Sequence, residues 1–274
     1  MLNIPLMDDT FRNMRDYIFD LCGIYISDNK KYLIENRLAK ILTENKLNSF
    51  EEYLKFIKIC KNGNDHSRLI DAITTNETYF FREPDQLNIL INEILPKISN
   101  QKAKHQPIRI WSSACSSGEE PYTISMMLKE KSLDLSKYEI YASDISEGVL
   151  SSAEKGVYSS YSVRNVPEAY LKKYFASNGD CSILDSSIKK SIIFKRINLI
   201  DSKNINLVRG VDVIFCRNML IYFNTKSKQK VISHLYDCLN PGGYLFVGAS
   251  ESLHNVTRAF RPSVINKVII YKKV

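Results

Sequence analysis

"WSSACSSGEEPYT", from Trp111 to Thr123, decides how the larger part of this chain is read. The apolar run "IRIW" (108–111) leads into it, and a helix is expected to begin near Glu119 and Pro121, since proline suits a first helical turn. A strand handing over to a helix through a tight turn is the opening unit of a parallel sheet covered by helices. The turn carries one glycine, Gly118. A loop that grips pyrophosphate carries several, because bare backbone N–H groups must approach a doubly charged group. Glu119 and Glu120 stand beside the turn instead. One acid suffices to complement a helix dipole; a second repels a diphosphate and favours a cation.

Further short apolar runs follow at "YEIYAS" (138–143), "SIIFKRI" (191–197), "VDVIFC" (211–216), "YLFVG" (244–248) and "VINKVIIYKK" (264–273), with helical stretches between them. This alternation predicts a mostly parallel, Rossmann-like α/β sheet. Pro241, Gly242 and Gly243 read as a turn before the fifth strand. Ligands of such sheets bind beyond the carboxyl ends of the strands, where strand order reverses. Asp144 closes the second strand roughly two dozen residues past Gly118, where nucleotide-binding folds place an acid on the ribose. Its carboxylate can accept from both ribose hydroxyls. A nucleoside with positive charge and no phosphate satisfies both observations, and S-adenosylmethionine is such a molecule.

The first 75 residues have a different grain. "FRNMRDYIFDLCGIYI", "SDNKKYLIENRLAKILTEN", "NSFEEYLKFIKI" and "SRLIDAITT" are helical in pattern, with Ile34, Leu38, Ile41 and Leu42 on one face and Ser27 or Asp28 as N-cap. The expected organisation is a helical domain over 1–75, an α/β domain over 76–274, and an insertion over 157–190. The 274 residues suffice for such a pair of domains.

The net charge of +8 is uneven. Lys and Arg balance Asp and Glu, eleven against eleven, up to residue 76, but outnumber them eleven to four over 201–274. That excess suggests an acidic partner, nucleic acid or protein, or simply a solvated face. No apolar run approaches the ~20 residues of a membrane span, and the first residues lack a signal-peptide pattern, so a cytoplasmic chain without membrane insertion is expected. The six cysteines (Cys22, Cys60, Cys115, Cys181, Cys216, Cys238) contain no CxxC pair, which predicts reduced, mostly buried thiols. The four histidines, His66, His105, His234 and His254, have no ligand spacing, and no metal is expected.

"TTNETYFFRE" (74–83), "WSSACSSGEEPYTI" (111–124), "ASDIS" (142–146), "INL" (197–199), "IFCRNMLIYF" (214–223) and "PGGYLFVGASESL" (241–253) together resemble, in order, the chemotaxis receptor methyltransferase family, CheR. The resemblance implies methyl transfer from S-adenosylmethionine, with S-adenosylhomocysteine as product, to glutamate side chains of bacterial chemoreceptors. Its implied cofactor contacts are Asn76, Thr78, Arg82, Glu120, Asp144, Asn198, Leu199, Arg217 and Asn218. It also implies receptor recognition by the helical domain, and a small β-subdomain at 157–190 that in some members docks a receptor pentapeptide. The loop "ASNGDCSIL" lacks the glycine-rich expansion of those members, so a pentapeptide-independent enzyme is expected, acting as a monomer on membrane-bound receptor arrays.

A glutamate, with an unperturbed pKa of about 4.3, is ionised at neutral pH and needs no general base. Placement then supplies most of the acceleration. Arg82 is the candidate two-pronged donor to a carboxylate, with an ion pair to Glu83 or Asp85 as its plain alternative. Tyr222 is the second candidate catalytic residue, with a core position as its alternative. Lys30, Arg37 and Lys40 cluster on one helical face that suits an acidic receptor helix. Two other readings stay open: a nucleic-acid methyltransferase, disfavoured because "CRNMLIYF" lacks a Pro-Pro-aromatic segment, and a non-catalytic sensor of S-adenosylmethionine.

Overall fold

The computed structural model describes residues 4–59, 63–103 and 105–274; Cys60 lies outside them. The chain forms two compact units, one of residues 1–75 with 222–227, the other of 76–221 with 228–274.

In the first unit, helices α1 (Asp8–Cys22), α2 (Lys31–Glu44), α3 (Phe50–Ile59) and α4 (Gly63–Ile73) bury their apolar faces. Phe11, Met14, Ile18 and Cys22 recur at helical spacing along α1 and are all buried. The helix stops earlier than its pattern suggests, because Gly23 takes φ 75° and its N–H closes on the Phe19 carbonyl at 2.7 Å. On α2 the buried face is Ile34, Leu38, Ile41 and Leu42, as the spacing predicts. Neither Ser27 nor Asp28 caps α2: a 3-10 turn, Asp28–Lys30, precedes it, and the Ser27 hydroxyl bonds Asn29 instead. Residues 222–227 join this unit through a bridge between Ile24 and Phe223 and a bond from Tyr25 N–H to the Tyr222 carbonyl at 2.9 Å.

The second unit is built on strands β1 (Ile108–Ser112), β2 (Tyr138–Asp144), β3 (Val157–Ser159), β4 (Phe175–Asn178), β5 (Cys181–Leu184), β6 (Ile192–Arg196), β7 (Val211–Cys216), β8 (Leu239–Val247), β9 (Phe260–Ile265) and β10 (Val268–Lys273). Seven form one sheet in the order β6-β2-β1-β7-β8-β10-β9. The first five of these pair in parallel, and β10 and β9 close the edge antiparallel. β7, "VDVIFC", is buried at every position, as a central parallel strand covered on both faces must be.

Two expectations are corrected here. The run 264–273 is not one strand but the end of β9, a turn and β10, a hairpin turned by Asn266 and Lys267 at φ 47° and 68°, the left-handed pair that tight hairpins require. Pro241, Gly242 and Gly243 do not precede the fifth strand; they form a bulge inside β8, where pairing jumps from Val211 opposite Leu239 to Val213 opposite Tyr244. A Cβ on Gly243 would lie 2.9 Å from the Asn240 carbonyl, so only glycine fits the bulge.

Within 157–190, β3, β5 and β4 form a separate antiparallel sheet, with a two-residue turn at Gly179 and Asp180 between β4 and β5. The core of the α/β unit gathers Trp111, Tyr122, Phe215 and Phe246, the last two stacked with centroids 4.5 Å apart.

Candidate active site

From β1 the chain steps outward through β2 to β6, and from β7 it steps the other way to β8. The crevice of such a sheet opens where the direction reverses, beyond the carboxyl ends of β1 and β7. The turn after β1 is held open there by backbone geometry. Ser116 takes φ 49° and Gly118 φ 91°. A Cβ on Gly118 would stand 2.9 Å from both the Ala153 Cβ and a Tyr122 ring carbon, which accounts for the single glycine. Helix α5 (Glu119–Glu130) starts immediately afterwards, where the sequence places it.

Asp144, at the end of β2, faces this turn. Ser116 N–H donates to one carboxylate oxygen at 2.9 Å and Ser146 N–H to the other at 3.0 Å. Ile197 follows β6 and its N–H binds the Asp144 carbonyl, which draws the ends of β2 and β6 together; Asn198 and Leu199 come next.

The residues after β7 organise a second cluster. The Arg217 side chain, 3% exposed, donates to Glu120 at 2.9 Å and to the Arg82 carbonyl at 2.6 Å, and pairs with Glu83 at 3.2 Å. Ser112 holds the other oxygen of Glu120 at 2.6 Å. Among the described residues, Arg217 Nε is buried without a partner. Asn218 sits in the left-handed region at φ 56°, and its N–H donates to Glu251, which also takes the N–H groups of Gly248 and Ile221. Phe81 and Glu83 likewise have positive φ, 58° and 53°. Non-glycine residues in this region cost energy and cluster at functional sites. Here four of the nine among the described residues, Phe81, Glu83, Ser116 and Asn218, stand in the segments that line the crevice.

The segment 76–83 is laid down between the crevice and the small sheet. The Asn76 carbonyl takes the Ser116 hydroxyl at 3.0 Å, and Thr78 follows, partly buried. Phe80 N–H binds the Ser162 carbonyl at 3.0 Å, and the Phe80 ring meets Tyr158 and Phe175 edge-on at 4.7 and 5.1 Å. Arg82 donates to the Glu77 carbonyl at 3.1 Å, and no described carboxylate lies within 4.0 Å of its guanidinium. The plain alternative of an Arg82–Glu83 pair is therefore not what the structure holds; Glu83 pairs with Arg217.

Glu119 is 1% exposed and held by the Ser117 hydroxyl, and burial raises its carboxyl above the ordinary glutamate value. Cys115 and Cys216 are buried packing residues whose thiols burial pushes upward. Among the described residues, no group of three or more His, Cys, Asp or Glu is arranged to hold a metal ion.

The α/β unit thus gathers Asn76, Thr78, Arg82, Glu120, Asp144, Asn198, Leu199, Arg217 and Asn218 on the carboxyl edge of one sheet or the segment beside it. Tyr222, Lys30, Arg37 and Lys40 belong to the other compact unit. Lys30 ends the 3-10 turn rather than lying on α2. Arg37 spends its guanidinium on the Ile73 and Thr74 carbonyls and on Thr75 Oγ1, the last at 2.8 Å. Lys40 is exposed and 3.7 Å from Glu44. Sequence reasoning missed Ser112, Glu83 and Glu251 as organisers. Glu251 lies inside the quoted "GASESL", and nothing local distinguishes it from a solvated acid.

The donor set suits S-adenosylmethionine. Asp144 offers acceptors for a diol, the neighbouring carboxylates favour a cation, and the orphaned Arg217 Nε offers a donor to a carboxylate. Comparison with known proteins agrees. Residues 76–269 match the family described as CheR methyltransferase, SAM binding domain, and residues 9–74 match CheR methyltransferase, all-alpha domain. Chemotaxis protein methyltransferase 2 of Vibrio cholerae is 39% identical over all of this chain and 96% of its own length. A chemotaxis protein methyltransferase of Vibrio parahaemolyticus is 37% identical over 99% of each chain. One from Borreliella burgdorferi is 39% identical over 92% of this chain and 91% of its own. With both of its domains matched and the cofactor-bearing edge of the sheet in place, the chain belongs to the CheR family of S-adenosylmethionine-dependent chemotaxis methyltransferases.

Proposed function

We propose that this protein methylates glutamate carboxylates of bacterial chemoreceptors, forming glutamyl methyl esters, with its residues acting as follows. The observation that carries the reading is the turn after β1: one glycine, two acids and a paired Asp144, a site built for a cationic nucleoside. Bound S-adenosylmethionine supplies a methyl group on a positively charged sulfur. Asp144, at the end of β2, takes the ribose hydroxyls on its carboxylate. Glu120, oriented by Ser112 and Arg217, and Asn76 and Thr78 in the linking segment hold the polar end of the cofactor. Asn198, Leu199 and Asn218 line the remainder. Arg82 has guanidinium donors to spare and no carboxylate of its own, so it binds a carboxylate and aligns it. Tyr222, grouped with the helical unit, is the second candidate for a catalytic role, through its hydroxyl.

The acceptor carboxylate is ionised at neutral pH, so the residues orient, neutralise charge and exclude water rather than move protons. The helical unit recognises the receptor; of the three candidate cations Lys30 and Lys40 are exposed and Arg37 is the least available. The short turn at Gly179 and Asp180 supports pentapeptide independence. No helix among the described residues is long and apolar enough to cross a membrane. A cytoplasmic monomer visiting membrane-bound arrays fits this reading.

The test is transfer of labelled methyl from S-adenosylmethionine to membranes bearing chemoreceptors, followed by mild alkali. Label in the receptor that is released as methanol is the expected result. Cofactor binding without alkali-labile label would turn the search to nucleic acid acceptors or to a sensor without turnover.

A further inference from the structure

Arg164 follows the short helix Ser160–Val163 in the small subdomain and is exposed. Its guanidinium carbon lies 3.8 Å from the ring centre of Tyr79 and 3.6 Å from that of Tyr161, a planar cation packed against two aromatic faces. Tyr161 in turn donates its hydroxyl to Glu77 at 2.8 Å. Arg82 approaches the same Tyr79 ring, its guanidinium carbon 5.6 Å from the centre.

Tyr79 sits between Asn76, fixed to Ser116 of the crevice turn, and Arg82, whose carbonyl is fixed to Arg217. Arg164 is thereby held at the rim of the crevice by a residue of the segment that lines it. One of its nitrogens donates to the Tyr161 carbonyl at 2.5 Å, and its other donors have no partner among the described residues. No described carboxylate lies within 4.0 Å of either guanidinium. Glu77 accepts the Tyr161 hydroxyl on its carboxylate and an Arg82 N–H on its carbonyl. Two arginines on one tyrosine, aromatic-stacked and lacking carboxylates, repel each other. Their donors converge on one place, where an anion can join them.

We infer that Arg164 is a specificity-determining residue that binds a second carboxylate of the substrate polypeptide, beside the one presented to Arg82. On a helical substrate, side chains three or four positions apart have Cβ atoms about 5–6 Å from each other. Such a neighbouring acid is what paired guanidinium groups on one ring would read. The inference rests on the proposed methylation of receptor glutamates and names a feature of that substrate.

The experiment measures kcat and KM for a chemoreceptor fragment, with cofactor affinity determined separately by calorimetry. Arg164→Gln is expected to raise KM about three- to ten-fold, the range for a solvent-exposed charge-assisted contact. Its kcat and cofactor affinity should match the wild type, and its KM should depend less on salt. Arg164→Lys, which keeps the charge, should recover part of the loss. Neutralising the flanking acid on the receptor (Glu to Gln) should raise KM for the wild type and leave that of Arg164→Gln unchanged, a readout that does not depend on how the enzyme variant folds. Unchanged KM in Arg164→Gln overturns the inference. So does a joint fall of kcat, substrate affinity and cofactor affinity in both variants, which would mean that Arg164 only braces Tyr79. Failure of the wild type to methylate any receptor would instead remove the functional reading beneath it.

Discussion

Replacing Arg217 with methionine removes the cation around which the crevice is organised. The side chain is 3% exposed, and its partners Glu120 and Glu83 are 14% and 20% exposed, so water would not compensate the loss. Deleting one member of a buried ionic cluster and leaving the others unpaired costs about 3–5 kcal/mol. The bond to the Arg82 carbonyl adds about 1 kcal/mol. For a domain of this size each kcal/mol moves the thermal midpoint by about 2–4 °C, so a fall of about 10 °C is expected. Trp111, the chain's one tryptophan, is wholly buried in β1, and its fluorescence reports the sheet directly. Cofactor affinity should fall as well, because Glu120 and the segment carrying Arg82 both lose their anchor. Adding Glu120→Gln to Arg217→Met should restore part of the midpoint, since one unpaired carboxylate disappears. A midpoint within about 1 °C of wild type would refute the reasoning, because no buried cluster of this kind can lose its cation so cheaply.

Other substitutions probe separate parts of the site. Asp144→Asn keeps the shape but has one acceptor oxygen for the Ser116 and Ser146 N–H groups, so a loss of about 1–3 kcal/mol and at least tenfold weaker cofactor binding are expected; calorimetry showing wild-type affinity would contradict the ribose assignment. Gly248→Ala would place a Cβ 2.7 Å from Asn218 Nδ2 and 2.8 Å from Glu251 Oε2, and strain of about 1–3 kcal/mol should appear as a lower midpoint; an unchanged midpoint would mean that the Glu251 clamp yields freely. Glu119 has a folded-state pKa raised above its ordinary 4.5 by burial. The folded protein therefore holds the proton more tightly than the unfolded chain, and stability falls as pH rises above 4.5 through the raised value. Glu119→Gln should be the more stable protein at neutral pH, with the advantage vanishing near pH 4; unfolding curves with no such convergence would count against a buried carboxylate.

Much of the fold was legible because it depends on period and on strand ends. Short, mostly apolar runs such as "VDVIFC" read as central parallel strands, and the alternation with helices then sets the crevice at their carboxyl ends. Asp144 and Glu120 were singled out by that rule and by their charge. What was not legible came from pairing across distance or from backbone detail. Val264 to Lys273 reads as one apolar run, yet Asn266 and Lys267 turn it into a hairpin through two positive φ angles that residue types other than glycine do not announce. Pro-Gly-Gly signals a bend, but whether it separates strands or bulges within one depends on the register against β7.

The sequence by itself determined the two-domain plan, the parallel sheet, the glycine-poor acidic turn and the carboxylate at the end of β2, because each follows from local pattern and from chemistry within a few residues. The tertiary structure alone decided the partners. Arg217 meets Glu120 across 97 positions and the Arg82 carbonyl across 135, Arg164 meets Tyr79 from an inserted subdomain, and Tyr222 groups with the helical unit. A charged side chain chooses among the many opposite charges of the chain by distance and desolvation, and those are fixed only once the core has packed.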